Sequence, residues 1–146
     1  MFRGLQVFVS GIALAGLTLA GAAVASAQEA KPPTLPLEGD AAVITIVIKA
    51  DKTADFESVI AKYKEALEKS EKPVRKQQLA GMKFYKGAPV AQGVPYIMVV
   101  DPVIKGEEYD ITMIVTEVFP VEVQAIYQKY KDAYVGRAIA PVTKIQ

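Results

Sequence analysis

The 146-residue chain contains no histidine, cysteine, tryptophan or asparagine. Without histidine and cysteine the usual zinc and copper ligand sets are unavailable, so no metal site is expected. Ser-His and Cys-His nucleophiles are excluded by the same absence. Acid-base chemistry near neutral pH would fall to Asp, Glu, Lys or Tyr with displaced pKa values. No disulfide can form, so stability does not depend on the redox state of the compartment. No sequence signature for a cofactor is present, and none is expected.

Excess charge is the next thing missing. The chain has 17 Lys and Arg against 16 Asp and Glu, and Arg3 stands alone in the first 27 residues. Beyond that point 16 basic residues face 16 acidic ones. A nucleic-acid binder normally carries a strong basic excess, so no nucleic-acid partner is expected.

What the sequence does carry, first, is a leader. Arg3 supplies a positive start, residues 5–24 are mostly apolar, and Ala25-Ser26-Ala27 offers a small-x-small cleavage site. This is the pattern of a secretory signal cleaved after Ala27. An apolar stretch of about 20 residues could also span a membrane, but this one is rich in Ala and Gly, which insert weakly. Cleavage leaves 119 of the 146 residues, the size of one domain. The expected location is periplasmic or secreted, with no membrane attachment after cleavage. Residues 28–40, with three prolines, read as a linker, and 41–146 as a single domain.

Within the domain, residues 42–50 form the clearest strand, β-branched and with almost no polar alternation. Such a strand is expected to be buried on both faces, so an aspartate at Val47 should be costly. Residues 53–70 form the clearest helix. Phe56, Val59, Ile60, Tyr63 and Leu67 make one stripe, and Thr53 is placed to cap the first turn. Residues 70–80 read as a polar connector or a short extra helix. Residues 81–86 and 96–101 are two strands joined by a turn-rich loop, hence an antiparallel hairpin. Met82 and Phe84 then share one face, Lys83 and Tyr85 the other. Residues 107–118 suit a helix or a strand equally. Pro120 suits the first position of a helix running to about Tyr134, with Val123, Tyr127, Tyr130 and Tyr134 on one stripe and Gly136 as its stop. Residues 138–145 make a last edge strand.

The order β-α-β-β-α-β is that of an α+β, ferredoxin-like βαββαβ sandwich with a four-stranded antiparallel sheet. The first and third strands are apolar on both faces, and no element remains to cover the second face. A partner chain is the simplest cover, which implies a homodimer. On ITIVIKADKTADFESVIAKYKEAL, KFYKG, YIMVVDPV and FPVEVQAIYQKYKDAY, the chain resembles the dimeric α/β-barrel superfamily. That superfamily includes the antibiotic-biosynthesis-monooxygenase-like domains. The chain also resembles small exported bacterial proteins of unassigned function. The resemblance implies a dimeric α/β barrel. Members with known chemistry use Asn, Trp or His in the cleft between sheet and helices. This chain has none of the three, so no active site carries over.

The expected function is therefore a non-catalytic homodimer with a small apolar or aromatic ligand in its sheet-helix cleft. Candidate ligand contacts are Arg75, Lys83, Tyr85, Tyr96, Asp101 and Tyr109. The tyrosines suit that place because each offers an apolar ring and one hydrogen-bonding tip; filling the core or the dimer interface is the competing role for them. A cofactor-independent monooxygenase or isomerase is the alternative, with Asp101, Arg75 or a tyrosine supplying the ionisable group. A structural or stress-related interaction protein of the envelope is the third reading.

Overall fold

A computed structural model describes residues 31–146; the expected leader and the first three linker residues lie outside the described residues. The sheet has four antiparallel strands, β1 (Ala41–Ile48), β2 (Met82–Lys86), β3 (Val94–Val100) and β4 (Tyr134–Val142), in the order β2-β3-β1-β4. Helices α1 (Thr53–Lys69), α2 (Pro73–Ala80), α3 (Ile111–Val118) and α4 (Val123–Ala133) complete this α+β architecture. The strand order is compatible with a ferredoxin-like fold.

Strand β1 alternates. Ala42, Ile44, Ile46 and Ile48 are buried in the core, whereas Ala41, Val43, Thr45 and Val47 are half-exposed. Among the described residues the expectation of burial on both faces therefore holds for one face only, because none of the described helices covers the other. On the buried side α1 lays down Phe56, Val59, Tyr63, Ala66 and Leu67. Fully burying each of its large apolar side chains is worth about 1.5–3 kcal/mol. Thr53 does not cap this helix. A 3₁₀ turn (Ala50–Lys52) leads straight into it, leaving Lys52 at the cap position with no side-chain capping bond.

Residues 73–80 are helical, with Pro73 in the first turn where its missing N–H costs nothing. Residues 111–118 are helical as well. Asp110 decides this, its carboxylate accepting from the Met113 backbone N–H at 3.0 Å. Ile111, Ile114 and Val115 then fall on one buried face despite their β-branching.

The β2–β3 hairpin and its facing are as the alternation predicts, with Met82 buried, Phe84 packed on the core, and Lys83 and Tyr85 outward. Gly93 is obligatory in its loop. Its φ is +144°, and a Cβ there would meet the Ile48 carbonyl oxygen at 2.2 Å.

The last helix and strand differ from expectation. Pro120 lies in the turn before α4, not in the helix, and Gly136 lies inside β4. Helix α4 stops at Ala133, whose carbonyl accepts the Lys49 N–H at 2.9 Å. Tyr134 then pairs at once with Ile48 across β1. The pull of β1 ends the helix, and no glycine stop is needed.

Candidate functional site

The six residues singled out from the sequence do not share one cleft. Tyr109 is fully buried; its hydroxyl accepts from the Ile104 N–H at 2.9 Å and its carbonyl accepts from the Tyr63 hydroxyl at 3.1 Å. Tyr96 is half-buried on the helix side, edge-on to Phe56 at 4.9 Å, and donates to Glu57 at 2.7 Å. Lys83 and Tyr85 stand together on the opposite face of the sheet. Asp101 lines an open cavity of about 480 Å³ beside Asp40 and Lys144. That cavity is walled mainly by loop and charged residues.

Arg75 is 2% exposed and fully engaged. Its guanidinium grips Glu117 with two bonds, 3.0 Å from Nε and 2.6 Å from an Nη, and a second Nη donates to Gln78 at 2.7 Å. Gln78 in turn donates to the Glu108 carbonyl at 2.8 Å. Burial pushes the Glu117 carboxyl up, but the bonds from Arg75 and Lys72 outweigh it and hold the group below its ordinary value. The Glu108 carboxylate accepts four backbone N–H groups, those of Thr34, Leu35, Tyr109 and Asp110. They likewise overcome burial and keep its pKa low. This network clamps the 31–40 segment onto the domain, and it offers no free valence to a ligand.

A different cleft opens where α4 meets β4. It is lined by Tyr127, Tyr130, Lys131, Tyr134 and Arg137, with a cavity volume of about 250 Å³. The abrupt passage from helix to strand builds it. Tyr127, Tyr130 and Lys131 come from the last turns of α4, and Arg137 pairs with Ile46 and so points to the helix side of the sheet. Among the described residues no helix lies flat against β4, which leaves this corner open. The rings are ordered: Tyr130 and Tyr134 meet edge-to-face at 5.7 Å, and Phe56 backs Tyr130 at 5.8 Å. Burial pushes the Tyr130 phenol up to about 12, the nearby Arg137 guanidinium pulling the other way. Tyr127 and Tyr134 remain 43% and 39% exposed. The tyrosine stripe was visible in the sequence. The turn that swings Tyr134 and Arg137 across its end was not.

The helix-free face of the sheet is the second feature. The strand registers place Val43, Thr45 and Val47 of β1, Ile97 and Val99 of β3, and Ala138 and Ala140 of β4 on it together. Tyr85 and Lys83 border it from β2.

Fold and clefts together define a small α+β protein with a four-stranded antiparallel sheet. Compared with protein-family models, curated proteins and solved structures, the chain matches none. Among the described residues no group of three or more acidic side chains is arranged to hold a metal ion, and no helix is long and apolar enough to cross a membrane.

Proposed function

We propose that this chain is an exported, non-catalytic binding protein that takes a small aromatic molecule in the α4–β4 cleft. In this reading the domain is ferredoxin-like, and two copies pair through their helix-free sheet faces as a dimeric α/β barrel. The observation that carries the proposal is the cleft itself. Three tyrosines converge on an open corner and present both apolar ring faces and hydrogen-bonding tips, the composition expected of a small-molecule site. Its volume suits a ligand of one or two rings.

The absence of catalysis in this reading rests on the ionisable groups. Arg75, Glu108 and Glu117 are spent on structure. Tyr130, with its pKa pushed up to about 12, is a poor base at neutral pH.

Pairing is supported by the composition of the open face. Its centre is aliphatic apart from Thr45 of β1, and Lys83 lies on the edge strand β2. A twofold axis through β1 and β3 would send the two lysines to opposite rims, where both stay hydrated. Sixteen acids against sixteen bases beyond residue 27 also leave no net repulsion between copies.

Binding is tested by titrating the purified protein with naphthalenemethanol, a neutral two-ring probe, and following tyrosine emission. The chain has no tryptophan to mask it. Saturable quenching is expected, weakened about three- to tenfold in Tyr134→Ala, the worth of one aromatic contact. Emission that never saturates in a folded protein would refute the cleft.

A further inference from the structure

Two cations line the tyrosine cleft without a carboxylate partner of their own among the described residues, and Arg137 borders the Tyr130 phenol. Lys131 and Arg137 both line it. Among the described residues, neither forms a salt bridge within 4.0 Å. The chain has three arginines in all. Arg75 is locked in its buried fork with Glu117, whereas Arg137 sits exposed on a strand with its side chain toward three aromatic rings. The carboxylates nearby bond other groups: Asp132 accepts from Gln128 at 2.9 Å, and Asp110 caps α3 through the Met113 N–H, though Asp110 is still felt at Tyr130.

The bland role for such cations is to balance the negative end of α4. That end carries about half an elementary charge, spread over its last carbonyls. Two of these carbonyls are already satisfied, Tyr130 by the Tyr134 N–H and Ala133 by the Lys49 N–H. Two full positive charges exceed what remains of that half charge. The carboxylates of Asp110 and Asp132 offset only part of the excess locally because neither is paired with Lys131 or Arg137.

We infer that the cleft selects an aromatic carboxylate, its ring held among Tyr127, Tyr130 and Tyr134 and its carboxylate on Arg137, with Lys131 beside it. This rests on the reading of the cleft as a ligand site and names the class of ligand it takes. A guanidinium matches a carboxylate with two parallel N–H···O bonds, a geometry an ammonium cannot offer. A small local excess of this kind suits a monoanion. A dianionic phosphate would want a further cation or a cradle of backbone N–H groups, and the cleft meets the carbonyl end of its helix instead.

The test compares naphthoate with naphthalenemethanol on the same protein, read by tyrosine emission at low and high salt. Naphthoate is expected to bind at least about tenfold more tightly, the worth of a charge-assisted hydrogen bond, with the advantage shrinking as salt rises. Arg137→Gln should abolish that preference, weakening naphthoate far more than the alcohol, and Arg137→Lys should restore only part of it. Arg137 is exposed, so both variants should keep the wild-type melting temperature. Equal binding of acid and alcohol, or a preference that survives Arg137→Gln, would overturn the carboxylate assignment and leave the cleft standing. Failure of both probes to bind the folded protein would overturn the cleft as well.

Discussion

Val43 of β1 stands directly opposite Val99 of β3 on the sheet face that no described helix covers. Both are half-exposed in the single chain, and they lie near the centre of the surface proposed to pair. Val43→Lys should therefore separate the copies while leaving each one folded. Sedimentation velocity should show a dimer for the parent and a monomer for the variant, with far-UV circular dichroism unchanged. A variant that still dimerises would place the interface elsewhere.

Neighbouring positions on β1 should respond in opposite ways. Ile46 is buried under the helices, whereas Val47 looks out from the other face. Ile46→Asp buries an unpaired charge and should cost more than about 4 kcal/mol. Val47→Asp should cost far less in the monomer, contrary to what the apolar run alone suggests. Urea denaturation of the two variants, under conditions that keep the chain monomeric, measures the difference.

Removing the Arg75 side chain should be among the most damaging single changes. Arg75→Ala leaves Glu117, Gln78 and the Glu108 carbonyl without their shared donor. Breaking a fully buried pair from one side costs about 3–5 kcal/mol; because Glu117 is partly exposed and keeps Lys72, the loss here should fall below that range. Thermal melts should show the loss, and Arg75→Lys should recover only part of it because the fork is gone.

Acid should loosen the same region. Glu108 and Glu117 are held below the ordinary glutamate value of 4.5 in the folded protein. Their stabilisation is therefore complete above pH 4.5 and is lost as pH falls through their lower folded values. Stability should be flat from neutral pH down to about 5 and then decline. In Glu108→Gln the decline should be shallower, from a lower plateau. Hydrogen exchange should find the backbone N–H groups of Thr34 and Leu35 opening first.

Periodic burial was legible in the sequence, and contacts between distant segments were not. The stripe of Phe56, Val59, Tyr63 and Leu67 specifies α1, and Met82 and Phe84 specify the inward face of β2. Ile111, Ile114 and Val115 fit both periods, and the side chain of Asp110 had to break the tie. Arg75 and Gln78 look like solvated loop residues because their partners lie about 30 to 40 positions away. The tyrosine cleft was hidden for a similar reason. Tyr127, Tyr130 and Tyr134 read as one helical stripe until the pairing of Tyr134 with Ile48 ends the helix early. The candidate contacts chosen from strands β2 and β3 are real surface or core features, but the fold distributes them over separate places.

The most direct test of the central claim is native mass spectrometry of the protein purified from an exporting host, with and without naphthoate. The account predicts two copies per particle, each beginning at Gln28, and one naphthoate retained per copy. A monomer that retains no naphthoate would contradict both the pairing through the open sheet face and the tyrosine cleft.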